Sequence, residues 1–183
     1  MRALRSLSRS GDAHIRAAAI DNVGAEGFSM ASDEIVKALG DPSPKVRRNA
    51  ARALARLGDQ RLAVPLIQHL ENHPDSVEEE MVEALGDVGN PQAVPALVGL
   101  LQSPRSLLRR AAAKALGRIG SSEAIAPLIA AAEEAGDPDL RRASIQALRV
   151  LGANESGPVV FDSLFDPHPS VRIAAAEAVS ELN

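Results

Sequence analysis

The sequence predicts an all-α, right-handed α-solenoid of about five 31-residue helical hairpins with a half-hairpin at each end. Three observations predict it. An apolar residue standing before a charged pair recurs as Ile15, Val46, Val77, Leu108, Leu140 and Val171, at intervals of 31, 31, 31, 32 and 31 residues. Glycine returns twelve residues after each of the first five anchors, as Gly27, Gly58, Gly89, Gly120 and Gly152. The apolar content is 45%, mostly Ala, Leu, Ile and Val, while aromatics are 2% with no Trp or Tyr. Such a composition favours helices packed closely through small side chains.

The 183 residues are therefore read as one repeat domain over 1–183, with units at about 11–40, 41–72, 73–102, 103–134 and 135–165. Residues 1–10 are the tail of a preceding helix, and 166–183 a partial unit. Each anchor opens a first helix, A, whose apolar residues recur three and four apart, the period of one helix face. Ala53, Ala84, Ala115, Ala147 and Ala178, seven residues on, let neighbouring backbones approach. The recurring glycine suits the left-handed position that follows a helix end. A second helix, B, carries Pro65, Pro95, Pro127 or Pro158 in its first turn, where a missing N–H costs least. Its apolar columns are Ile35, Leu66, Leu97, Leu128 and Val160; then Val36, Ile67, Val98, Ile129 and Phe161; then Leu39, Leu70, Leu101, Ala132 and Leu164. Asp-Pro or Ser-Pro at 41–42, 103–104, 137–138 and 166–167 ends helix B and turns the chain. Hairpins of this size bury their apolar faces against their neighbours.

The segments DPSPKVRRNAARALARLGD (41–59) and LAVPLIQHL (62–70) resemble the HEAT-like repeats of the phycobilisome-lyase type. The likeness is best over 41–72 and 103–132. It implies the solenoid, a ladder between repeats in which the Arg after each anchor (Arg16, Arg47, Arg109, Arg141, Arg172) pairs with a turn Asp, and a concave face made by the B helices. Asp41 with Arg47 and Asp166 with Arg172 keep the family's spacing of six. Glu78 replaces Arg in the third unit, so the ladder is expected to break or reverse there. Both ends lack the polar caps of a finished solenoid. The chain is accordingly expected to be a piece of a longer protein, with end-to-end self-association allowed.

The first helices carry a basic run, Arg47, Arg48, Arg52 and Arg56, echoed by Arg109, Arg110, Lys114 and Arg118. Between them stand Glu78, Glu79, Glu80, Glu83 and Asp87. In register, Arg48 falls beside Glu79 and Arg110, Arg52 beside Glu83 and Lys114, and Arg56 beside Asp87 and Arg118. Packed helices lie about 8–10 Å apart, so these charges are expected to pair between units. That reading, with the net charge of −4, disfavours nucleic acid as a partner.

On helix B, positions three and four apart share one face. They comprise Lys37, then Arg61, Val64, Gln68 and Glu71, then Gln92, Pro95, Gly99 and Gln102, then Glu123, Ala126, Ala130 and Glu133, then Glu155, Pro158, Asp162 and Phe165. Met30, Asp33 and Gly40 complete the first unit. Small apolar residues run along the middle, and acids outnumber bases. That arrangement suits a basic or amphipathic protein segment and repels a phosphate backbone.

Catalytic machinery is not read in the chain. Four histidines occur, none followed by Glu, so the His-Glu iron ligands of HEAT-like hydroxylases have no counterpart. His69 and His73 are four apart, a spacing two ligands on one helix turn would have, but Pro74 follows at once and they are read as exposed. There is no Cys, so thiolate sites and disulfides are excluded. No metal or cofactor is expected. No apolar run is long enough to span a membrane, and MRALRSLSRSGD lacks a signal peptide's apolar core, which points to the cytoplasm. The expected function is a non-catalytic protein–protein interaction scaffold, a module of a larger protein. The alternative is a phycobilin-lyase-like or other enzyme-associated subunit acting with a partner. A weaker alternative is nucleic-acid binding through the Arg-rich A helices.

Overall fold

The structure, a computed structural model, describes residues 6–25, 32–73, 77–134 and 136–180. Among these residues it contains eleven α-helices, four short 3-10 helices and no strand. The chain divides into two compact units, Met1–Ala93 and Val94–Asn183.

The first unit holds α1 (Ala13–Ala25), α2 (Ser32–Ala38), α3 (Pro44–Leu57), α4 (Ala63–Asn72) and α5 (Glu79–Val88). The A helices α1, α3 and α5 pack in sequence, while the B helices α2 and α4 each lie on the A helix that follows. The second unit repeats the plan with α6 (Val94–Leu100), α7 (Ser106–Ile119), α8 (Ile125–Glu133), α9 (Pro138–Leu151), α10 (Gly157–Ser163) and α11 (Pro169–Val179). Here α7, α9 and α11 form the A layer, and α6, α8 and α10 lie on the A helix after each.

The repeat columns explain the packing. The five seventh-step alanines are all buried, as are Ile35, Leu66, Leu97, Leu128 and Val160. The anchors from Val46 onward are buried too, but Ile15 is 42% exposed. Phe161 departs in the same way: its column mates are half-buried, whereas it is 52% exposed on the last B helix. Gly58, Gly89, Gly120 and Gly152 take φ between 60° and 77° after their helices, the left-handed region where a side chain is strained. Gly27 lies outside the described residues.

Helix B begins differently from the expectation. A 3-10 turn precedes it at Gln60–Leu62, Pro91–Ala93, Ser122–Ala124 and Asn154–Ser156. Asp59 and Ser121 start two of these turns by accepting the N–H of Arg61 and Glu123. The prolines still fall in the first turn of the α-helix.

Candidate functional site on the B-helix faces

Every predicted face residue that is described is exposed: Lys37, Arg61, Val64, Gln68, Glu71 and Gln92 in the first unit, and Pro95, Gly99, Gln102, Glu123, Ala126, Ala130, Glu133, Pro158 and Asp162 in the second. Met30 lies outside the described residues. The fold spreads these sets over two or three local structures. Arg61, Gln92 and Glu123 sit on the 3-10 turns, the middle positions sit on the short α-helices, and Gln102 lies just past the end of α6.

The charges on these faces are unequally free. In the first unit Arg61 is held by Asp59 at 2.6 Å, and Lys37 approaches Glu34 at 3.7 Å. The Arg61 guanidinium and its backbone N–H hold the Asp59 carboxyl below the usual range. Asp33 and Glu71 have no side-chain partner among the described residues, and nor do Glu123, Glu133, Glu155 and Asp162 in the second unit. The B faces therefore present uncompensated carboxylates while their own bases are occupied.

In the second unit a hollow of about 330 Å³ lies beside α8 and α10, lined by Ala132, Glu133, Val159 and Asp162. Its base is the buried Arg141–Asp166 pair, a two-pronged contact at 2.7 and 3.1 Å. A second hollow of about 290 Å³, lined by Gln102 and Glu134, rests on Arg109 and Asp137. Phe165, just past α10, is 87% exposed.

Both hollows sit on rungs of the expected ladder between repeats, but each rung joins an Arg to the Asp of the following turn and not to one six residues before it. Arg16 grips Asp41 through Nε and Nη2 at 2.7 and 2.9 Å, while its Nη1 donates to the carbonyls of Ser10 and Gly11. Arg109 with Asp137 and Arg141 with Asp166 follow the same rule. The six-residue spacing thus marks a contact to the turn's carbonyl: Arg47 donates to the Asp41 and Pro42 carbonyls, and gives its other arm to Glu78. The substitution at Glu78 reverses its place in the ladder, as expected; it accepts a rung. Arg16 lowers the pKa of Asp41, and Arg141 that of Asp166. For Asp137 burial pushes upward, but the Leu140 N–H and Arg109 outweigh it.

On the A helices Arg48 and Arg52 converge on Glu80 at 3.7 and 3.8 Å, and Arg56 meets Asp21 of the preceding repeat at 2.9 Å. Pairing between repeats holds, but the partners of Arg48, Arg52 and Arg56 are Glu80 and Asp21 and not Glu79, Glu83 and Asp87. A helix presents neighbours on both sides, so a long Arg reaches back as readily as forward.

His14, His73 and His168 are exposed, whereas His69 is half-buried, with its ring stacked on His73 at 4.6 Å and its Nε2 buried without a partner. Burial, then His73 and Arg47, lower its pKa. No group of three or more metal-ligating side chains occurs among the described residues.

Gly117 was not legible as a site of close approach, because the recurring glycines read as caps. A Cβ there would stand 2.9 Å from the Cβ of Ala147, so α7 and α9 touch backbone to backbone. Its signal was its place inside a helix, where glycine needs a packing reason.

A family profile described as HEAT repeats matches residues 1–80, 63–149 and 125–183. The chain is a HEAT-repeat protein. No curated protein sequence matches it. Among solved structures, the complex of CpcE and CpcF of phycocyanin lyase from Nostoc sp. PCC7120 is 25% identical, with a TM-score of 0.70 over 98% of this chain and 75% of that one. A designed armadillo repeat protein in complex with the peptide (KR)4 is 17% identical, with a TM-score of 0.69 over 99% and 98%. Human deoxyhypusine hydroxylase is 19% identical, with a TM-score of 0.52 over 99% and 88%. The HEAT-repeat chain is thus a helical repeat scaffold of the armadillo and HEAT type, and no helix among its described residues is long and apolar enough to cross a membrane.

Proposed function

We propose that this HEAT-repeat protein is a non-catalytic scaffold whose B-helix faces bind a basic or amphipathic segment of another protein. The observation that carries the reading is the charge state of the faces. Glu133 and Asp162 stand unpartnered on the rim of the 330 Å³ hollow. Ala126, Ala130 and Pro158 are exposed on the same helices, and Phe165 beyond them offers an aromatic surface. A Lys or Arg side chain lying over this floor gains the carboxylates and can stack on the ring. A nucleic-acid backbone would meet repulsion there. The protein itself is taken to work without a cofactor, in the cytoplasm.

The test is fluorescence anisotropy with a labelled alternating Lys-Arg peptide. Binding is expected to weaken as salt rises and to fall about tenfold in the Glu133→Lys/Asp162→Lys variant. Equal binding by that variant, or none by the wild type, would overturn the reading. The alternative, an enzyme-associated subunit acting with a partner, is favoured by the likeness to the CpcE–CpcF complex. It predicts activity only when that partner is supplied.

A further inference from the structure

We propose that the groove between the A helices α7 and α9 takes an acidic amphipathic helix of a partner protein, which sets carboxylates against Lys114 and an apolar side chain against Val150. The surface is separate from the B faces, and the proposal does not rest on the reading given to them.

Charge on the A helices is arranged in two ways. In the first unit the A-helix arginines are answered within the chain: Arg52 approaches Glu80 at 3.8 Å, and Arg56 meets Asp21 at 2.9 Å. The first of these contacts joins the sixth step after one anchor to the third step after the next. Applied to α7 and α9, that register sets Lys114 against Ala143. Lys114 is half-buried and has no ion-pair partner among the described residues. The repeat columns show how the acids were lost. At the sixth step Asp21, Arg52, Glu83 and Lys114 are followed by Gln146, and at the tenth Arg56, Asp87 and Arg118 are followed by Val150. Charge alternates in sign from repeat to repeat until α9 puts an amide and an apolar group in its place. The one acid in the sequences of α7 and α9 is Asp139, which Arg142 holds at 3.3 Å.

The geometry supplies the apolar half. A Cβ at Gly117 would stand 2.9 Å from that of Ala147, so the two helices approach closely there. The surface at that approach is a groove of about 180 Å³, whose buried lining is Gly117, Ala143 and Ala147. Lys114 and Arg118 of α7 and Gln146 and Val150 of α9 complete it, with Val150 64% exposed. Each of these pairs is four residues apart and shares one helix face. The groove therefore follows the helices and suits a third helix laid along it. A cavity of about 150 Å³ holds benzene, so this one has room for a single leucine- or phenylalanine-sized side chain. Acids three or four residues from that anchor would fall on the same face of the incoming helix, within reach of Lys114. A phosphate backbone would satisfy Lys114 but leave Val150 and the apolar lining wet.

The test is an NMR titration of the isotope-labelled chain with a Glu-rich peptide of about 18 residues carrying Leu at every third or fourth position, long enough to support a helix. Amide shifts are expected at Gly117, Gln146 and Val150, with affinity falling as salt rises. Lys114→Glu and Val150→Glu should each weaken binding about tenfold, and circular dichroism verifies that both keep their helix content. A peptide with Ser in place of Leu is expected to lose binding to a similar degree. The Glu133→Lys/Asp162→Lys variant should retain it, which separates failure here from failure of the B-face reading. No shift at these amides, unchanged affinity in either groove variant or for the Ser peptide, or a duplex DNA that shifts the same amides equally well would overturn the proposal.

Discussion

Gly117 and Gly99 both stand inside helices, yet their surroundings predict opposite responses to substitution. A methyl at Gly117 would collide with Ala147, while at Gly99 nothing lies within 4 Å. Gly117→Ala is therefore expected to lower stability by about 1–3 kcal/mol through forced separation of α7 and α9. Gly99→Ala should be neutral or stabilising, because alanine is the better helix former. Urea unfolding midpoints for the pair check this, and a neutral Gly117→Ala would mean the helices separate without loss. At Gly120, where φ is +77°, the cost has another source. Alanine there is strained by its own backbone, with an expected loss of about 1 kcal/mol despite open space around the site.

At the scale of the helices, the ladder decides which substitutions an element tolerates. The repeat pattern calls for Arg at position 78, but Glu78 accepts from Arg47 across the α3–α5 contact. Glu78→Arg, which would improve the match to the pattern, is expected to destabilise by roughly 1–3 kcal/mol, by losing a charge-assisted bond and opposing two guanidinium groups. Thermal melts with Glu78→Gln as the intermediate case would show it. The helices themselves were legible in sequence, because the anchor, alanine and glycine columns each answer to one local requirement: apolar face, close approach, left-handed cap. The 3-10 entries to helix B were not, since Asp59 and Ser121 read equally well as ordinary helix caps. The exposed B-face residues could be read from period alone. Which of them are electrostatically free could not, because Arg61 turns back on Asp59 and Lys37 on Glu34 through side-chain choices that spacing does not encode. The rung partners were missed for a related reason. Asp41 and Arg47 share a turn and look like a pair, but the carboxylate points to Arg16, 25 residues earlier.

At the scale of the molecule, two kinds of group with lowered folded pKa values among the described residues are expected to shape the response to acid, and their windows separate. His69 has a lowered folded pKa, so the unfolded chain binds its proton first. Stability is then full above the unfolded histidine value, near 6.5, and declines as pH falls below it toward the folded value. Asp41, Asp137 and Asp166 are also depressed in the folded state. Their contribution is complete above the unfolded carboxylate value, near 3.9, and is lost as pH falls through the folded values. Chemical denaturation from neutral to acid pH should therefore show a shallow decline below pH about 6.5 and a steeper one below about 4. His69→Asn is expected to flatten the first decline and leave the second. Asp166→Asn should lower stability at neutral pH by about 1–2 kcal/mol, since it weakens a two-pronged charged contact. It should also shrink the acid loss, because one of the carboxylates that must be protonated is gone. A single decline common to wild type and both variants would mean that neither the stacked imidazole nor the ladder governs acid unfolding. Separate windows, each removed by its own substitution, would assign acid stability to two local devices: a stacked imidazole near the end of α4 and the Arg–Asp rungs at Asp41, Asp137 and Asp166.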